Sequence, residues 1–242
     1  MSWLRATDYA HRGLHISADV ENSLGAASGA IARGMGIECD VQLSRDGRAM
    51  VFHDWELDRL TAESGPVRER TAAQLVAMAL MASGERIPTL RDLLGLVRGR
   101  VPLLIEIKSK REMRIGAVCL AVRRELEGYR GEAAVMSFDP RVVAWFGRNA
   151  PSILRGLVMT EENDRGLIGS LRRHLWLWKA RPDFLAYDVR DLPSRFAAAQ
   201  RRRGVPVLTW TVSSPALRER AAQFADAPIA EGEGVAKTAA NP

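Results

Sequence analysis

Several short clusters carry side chains that could do chemistry together. In Gly36-Ile37-Glu38-Cys39-Asp40-Val41 two carboxylates stand two residues apart. An extended backbone sends both to one face while Ile37, Cys39 and Val41 take the other. The apolar run Val101–Ile107 turns charged at its carboxyl end, where Glu106 and Lys108 again share a face. Such groups are costly to bury unless they are paired or bind something. Glu38, Asp40 and Glu106 form an all-oxygen set of the kind that suits Mg²⁺ or Ca²⁺ rather than zinc. Arg12 and Lys108 suit a phosphate, and His11 and His53 titrate near neutral pH as a general acid and base must.

Each residue also has a plainer reading. A histidine at a strand end is more often structural than catalytic, Glu38 and Asp40 could be a solvated strand edge, and Lys108 could serve only as a partner for Glu106. Two histidines, each at a strand end beside Arg12 or Asp54, tip the balance toward a site. Trp210 reads equally as core filler or as a wall of the substrate pocket. Glu21 and Asn22 read as the cap of the first helix, since Asn is a favoured N-cap residue, with a site role for either as the even alternative. His15 and His174 fit no constellation and read as surface groups. Trp176 and Trp178 belong either to an exposed apolar patch or to a packed helix.

The elements that must position these residues follow from periodicity. Short Val-, Ile- and Leu-rich runs end near His11, Asp40, His53, Lys108, Phe138, Val158, Tyr187 and Trp210, with a last short run at Pro228–Ala230. Between them lie helical patterns at Asn22–Arg33, Thr89–Val97, Glu112–Glu127, Pro140–Arg148, Arg165–Lys179, Pro193–Arg203 and Pro215–Phe224. This rhythm predicts an α/β protein, a TIM-type (β/α)8 barrel forming one domain over residues 1–242, with a doubly wound open sheet as the alternative. Leu43–Arg48 is too short for a crossover helix, and Asp46-Gly47 signals an antiparallel hairpin. A two-residue turn there pairs Arg45 with Arg48 and sets His53 opposite Asp40; a three-residue loop shifts the register by one and breaks that alignment. Residues 55–88, after the third strand, read as a lid-like insertion with a helix near Ala72–Met81.

The chain has 242 residues, a formal charge of +6 and 47% apolar residues, enough for a core without disulfide help. Cys39 and Cys119 make neither a disulfide framework nor a zinc pattern, so a reducing, cytoplasmic setting is expected. No run approaches the roughly 20 apolar residues that span a bilayer. The triplet Arg201-Arg202-Arg203 closes a helix, where cations offset the dipole, so no nucleic-acid partner is expected.

Taken in order, His11-Arg12-Gly13, Glu21-Asn22, Glu38-Cys39-Asp40, Asp46-Gly47, His53-Asp54 and Glu106-Ile107-Lys108 resemble the pattern of the glycerophosphodiester phosphodiesterases. Pro88-Thr89-Leu90, Ser137-Phe138 and Trp210-Thr211-Val212 extend the likeness over residues 8 to 213. The resemblance implies a TIM-type barrel, a divalent metal and hydrolysis of a glycerophosphodiester to an alcohol and glycerol 3-phosphate. It implies His11 and His53 as the acid–base pair, Glu38, Asp40 and Glu106 as metal ligands, and Arg12 and Lys108 as phosphate contacts. The chain departs from the family at Val20, where proline is common, at Ser213, where asparagine is common, and in the tail Asp226-Ala227-Pro228-Ile229-Ala230-Glu231. These departures bear on the last loops and on the substrate. A phospholipase D-like enzyme or a cyclic-phosphate-forming lyase on phospholipids is the alternative, and a non-catalytic phosphate-binding barrel a remote one. The expected partner is a small phosphodiester, with no stable membrane insertion but with peripheral contact allowed through the apolar run Leu75–Ala82.

Overall fold

The computed structural model describes residues 1–15, 19–81, 83–162 and 165–236. Eight parallel strands close a TIM-type ring: β1 (Tyr9–Ala10), β2 (Gly36–Leu43), β4 (Leu103–Ile107), β5 (Ala133–Ser137), β6 (Leu154–Met159), β7 (Phe184–Asp188), β8 (Val207–Val212) and β9 (Ala227–Ala230). The short first strand bonds to β9 on one side and to β2 on the other, which closes the ring. The ninth strand, β3 (Ala49–Val51), lies outside it, antiparallel to β2.

Alternation along the strands sorts the side chains. Tyr9, Leu104, Met136, Phe184, Leu208 and Ile229 belong to one buried cluster filling the barrel. Ile37, Cys39, Val41, Leu103, Ile105 and Ile107 belong to another, packed under the first helices. Gly156 leaves room for the inner layer, because a Cβ there would stand 2.3 Å from the Phe184 ring. The helices are α1 (Leu24–Ala32), α2 (Ala72–Leu75), α3 (Leu90–Val97), α4 (Gly116–Leu126), α5 (Pro140–Asn149), α6 (Leu167–Ala180), α7 (Arg195–Arg202) and α8 (Pro215–Phe224). Side chains of Ser23, Thr89, Asp139, Ser194 and Ser214 accept a backbone N–H at the starts of α1, α3, α5, α7 and α8.

Two expectations are corrected. The hairpin between β2 and β3 has a three-residue loop, Arg45-Asp46-Gly47, closed by the Ser44 N–H donating to Arg48 O at 3.0 Å, with Gly47 at φ +80°. A left-handed third residue is what such a loop requires. The register therefore runs Val41–Val51 and Gln42–Met50, and the next pair sets Asp40 opposite Phe52, not His53.

The helix expected over Ala72–Met81 is only the single turn of α2. Beyond it the chain folds back in short antiparallel bridges, Thr61 with Leu80 and Ala79 with Arg86. Leu75, Leu80, Leu57, Val67 and Ile87 form a small buried core with Met50 and Phe52. Leu75 and Leu80 of the apolar run are thus interior to the insertion, while Ala77, Ala79 and Met81 face solvent. No helix among the described residues is long and apolar enough to cross one.

Candidate active site

The site is assembled at the carboxyl ends of β1, β2, β4 and β9, where the barrel's inward faces turn polar. After β1 the backbone enters the left-handed region at Arg12 (φ 55°) and Gly13 (φ 81°). A Cβ on Gly13 would stand 2.8 Å from the Ala26 backbone, so only glycine lets α1 approach this closely. The bend aims the Arg12 N–H at Glu38 Oε2, 3.0 Å away. Its side chain reaches Glu21 at 2.7 Å and places Nε 3.3 Å from Asp40 Oδ2, with that buried Nε making no hydrogen bond. A left-handed non-glycine residue costs energy, and it is held here by contacts that also build the site.

Asn22 is not the helix cap; Ser23 is. Asn22 sits at φ 59°, donates its own N–H to Arg12 O, donates from Nδ2 to Asp40 Oδ2 at 3.0 Å, and accepts the Asp40 N–H at 3.1 Å. It is the clip between the first loop and β2.

The three carboxylates come together as the period of two predicts. Glu38, Asp40 and Glu106 each offer an oxygen within 4.8 Å of the others. Lys108 Nζ lies 3.2 Å from Glu106 and 3.4 Å from Asp40. Burial and the neighbouring Asp40 push the Glu38 carboxyl up to about 8. Burial also raises Glu106, and the Lys108 ammonium only partly opposes it. For Asp40, burial is outweighed by Lys108, His53 and Arg12, which hold it below the ordinary range. The trio therefore does not carry three full charges by itself. A hard divalent cation is the partner that would complete it.

The two histidines are held by carboxylates. His11 Nδ1 is 2.5 Å from Glu231 Oε2, and its Nε2 lies 4.0 Å from Glu38. His53 Nδ1 is 2.7 Å from Asp54 Oδ1. His53 reaches the site even though the β3 register misses it. The chain leaves the strand after Val51, and the buried Gln42 amide donates to the carbonyls of Phe52, His53 and Asp54 at 3.0, 3.1 and 2.5 Å. Arg59, from the insertion, bonds both Asp54 oxygens and both Glu21 oxygens. Burial would lower His11, but Glu231 and Glu38 outweigh it and its pKa rises. Burial prevails at His53, where the pull of Asp40 is offset by Lys108 and Arg12, and its pKa falls.

The indole N–H of Trp210 donates to Ala186 O at 3.0 Å, and the ring meets Phe138 edge-on at 5.2 Å between centroids, an apolar wall at the mouth. Ser137 packs the rim by donating to Ile107 O at 2.7 Å. His174 is exposed, as expected. His15 is not a detached surface group, because its Nε2 lies 3.9 Å from Glu231.

Three contributors escaped the sequence reading: Gln42, Glu231 and Arg59. Gln42 continues the series Glu38, Asp40, and the same period of two marks it. Glu231 and Arg59 carry no such local mark.

A sequence profile of the glycerophosphoryl diester phosphodiesterase family matches residues 11–230. A Mycobacterium tuberculosis relative named "Probable glycerophosphodiester phosphodiesterase 2" is 31% identical over 230 residues, covering 85% of this chain and 79% of that one. A Bacillus altitudinis glycerophosphodiester phosphodiesterase is 33% identical over 155 residues, 60% of this chain and 63% of its own length. Among solved structures, an Oleispira antarctica phosphodiesterase in complex with the product sn-glycerol-3-phosphate superposes with a TM-score of 0.81 at 22% identity, covering 93% of this chain and 92% of that one.

Proposed function

We propose, from the premise that the chain belongs to the glycerophosphoryl diester phosphodiesterase family and is a phosphoric diester hydrolase, that it cleaves a glycerophosphodiester to an alcohol and glycerol 3-phosphate with a divalent cation. The observation that carries the cation is the buried carboxylate trio with Glu38 pushed up to about 8. The donor set fits Mg²⁺ or Ca²⁺: all oxygen, three carboxylates, and no cysteine or histidine among the converging atoms. When bound, the ion would supply positive charge against a nonbridging phosphate oxygen and acidify the nucleophile, either water or the neighbouring glycerol hydroxyl, whose cyclic product water would then open.

The protein's own groups do the rest. Arg12 and Lys108, the cations set beside the carboxylate trio, hold the phosphodiester. The two imidazoles differ in their supporting acids. Glu231 is set against imidazoles, His11 at 2.5 Å and His15 at 3.9 Å, and so favours a proton on His11. Asp54 has both oxygens bonded by Arg59, which leaves less negative charge to favour a proton on His53. His11 is accordingly the general acid that protonates the leaving alkoxide, and His53 the base that takes the proton of the nucleophile. Trp210 and Phe138 flank the alcohol group. Arg59 ties the insertion 55–88 to Asp54, beside His53, and to Glu21. The sn-glycerol-3-phosphate held by the Oleispira protein is the product this reading predicts.

The test is a steady-state assay on glycerophosphodiesters with Mg²⁺ or Ca²⁺, with the products resolved chromatographically. Glycerol 3-phosphate as the product and near-complete loss of turnover with chelator are expected. Full turnover in chelator sinks the metal assignment, and accumulation of a cyclic phosphate sinks hydrolysis in favour of a lyase.

A further inference from the structure

Helix α6 is built inside out. Facing the barrel are Gly169, Arg173 and Ala180, all buried, with Trp176 and Leu177 half-buried beside Phe196 and Leu185. Facing solvent are Leu167, Ile168, Leu171, Leu175 and Trp178, from 56% to 86% exposed. At about 100° per residue these five fall within an arc of about 100°, a continuous stripe along the roughly 21 Å of the helix. An ordinary barrel helix turns such a stripe inward. Here a buried Arg173 lies against Glu161 at 3.4 Å while five large apolar groups face water.

Cations border the stripe and no acid interrupts it. From Arg165 to Arg181 the chain has five basic residues and no Asp or Glu. Arg172 and Lys179 flank one side of the arc, with the Arg172 guanidinium over the Trp176 ring at 5.7 Å. His174 and Arg181 flank the other. At the carboxyl end, beside the exposed Trp178, a groove of about 410 Å³ is lined by Arg148, Arg155, Lys179 and Arg181. Arg155 is neutralised by Asp183 at 3.1 Å. Among the described residues Arg148, Lys179 and Arg181 have no acidic partner. Nearby acids are already engaged, Glu162 with Arg190 and Asp191 with Arg165.

We propose that the outer face of α6 docks this protein onto an anionic lipid surface. Leu, Ile and Trp on one face with Lys and Arg at both flanks is the composition of a helix lying in a bilayer interface. Its apolar side chains enter the acyl boundary and its cations meet lipid phosphates. The groove beside Trp178 takes a headgroup phosphate. A second copy of the chain is the poorer occupant, because pairing two such faces would bring like charges at their flanks together. The α6 amino terminus, with Leu167, Ile168 and Leu171, follows β6 on the same rim as the catalytic groups. A docked barrel thus lies with its mouth beside the membrane surface. The docking is independent of the chemistry assigned to the mouth.

Sedimentation with sucrose-loaded vesicles tests it. Binding to phosphatidylcholine vesicles containing about 30% phosphatidylglycerol is expected to exceed binding to phosphatidylcholine alone by about tenfold or more at low salt. The pairs Leu171→Glu with Leu175→Glu, and Lys179→Glu with Arg181→Glu, should each weaken it by about tenfold or more. Turnover of a soluble glycerophosphodiester should stay within about twofold in both, which reports an intact fold. Equal binding to neutral and anionic vesicles, or anionic binding unchanged in the variants, overturns the proposal. So does a dimer in sedimentation velocity that Leu171→Glu converts to monomer, which would assign the face to a second copy.

Discussion

The ends of β2 and β4 and the ends of β5 and β7 carry similar acids but use them in opposite ways. After β5 and β7, Asp139 and Asp188 each accept the backbone N–H two residues on and bond the guanidinium of that same residue, Arg141 or Arg190, at 2.6 Å. Each of these acids has a cation two residues on and a helix start to cap, and among the described residues only Arg190 reaches a second acid, Glu162, at the longer distance of 3.3 Å. At the ends of β2 and β4, Glu38, Asp40 and Glu106 share Arg12 and Lys108, and Arg12 is shared again with Glu21. A buried acid matched by an adjacent cation is structure. A buried acid left short of one stores a preference for something not yet bound.

Substitution at either end should separate the two roles. Asp40→Asn or Glu106→Gln is expected to lower kcat/KM by about 10³ or more, since it removes a proposed ligand and part of the transition-state charge stabilisation. Turnover near wild type in either variant would mean the trio is structural after all. The next largest effect falls on the histidines. His11→Ala should lose about 10²–10⁴ on an alkyl diester, yet far less on a p-nitrophenyl ester, whose leaving group needs no proton, while His53→Ala should lose similarly on both. Equal losses for His11→Ala on the two esters would reverse or dissolve the assignment.

At the other end, Asp188→Ala should keep activity within about twofold but cost about 2 kcal/mol of stability, because a buried cap and ion pair are lost. Urea unfolding alongside the assay decides it.

The smallest effect is in pH. Glu38 is raised in the fold, so its contribution to stability is full below the ordinary carboxylate range and is lost as pH rises through about 8. At Asp139, burial is outweighed by hydrogen bonds from Arg141 and Ser109. That group is lowered, and its contribution is present at neutral pH and lost in acid. In chelator, Glu38→Gln should therefore gain stability relative to wild type between pH 6 and pH 8.5. An unchanged difference across that range would remove the contrast between the two ends.

Much of this was legible in the chain. The strand–helix rhythm specified the ring, and the period of two brought Glu38, Asp40 and Glu106 to one place. What was hidden depended on distance or on one backbone angle. The hairpin register turned on whether Gly47 ended a two- or three-residue loop, and the same Asp-Gly pair suits both. Asn22 and Ser23 are both good caps, and only the left-handed turn at Asn22, made to reach Asp40, decides between them. The pair His11–Glu231 joins residues 220 positions apart, which no local pattern can show. Periodicity finds the α6 stripe but not which way it faces, because that depends on Arg173 meeting Glu161 beneath it.

The closure of β1 against β9 has a consequence for the chain as it is made. His11 is translated 220 residues ahead of Glu231 and waits for it until the ring's final strand has left the ribosome. An unfinished polypeptide, even with its carboxylate trio already translated, therefore holds an unsupported imidazole. The last seam to form is the one that supports His11, so under the proposed roles hydrolytic power arrives only with a completed barrel.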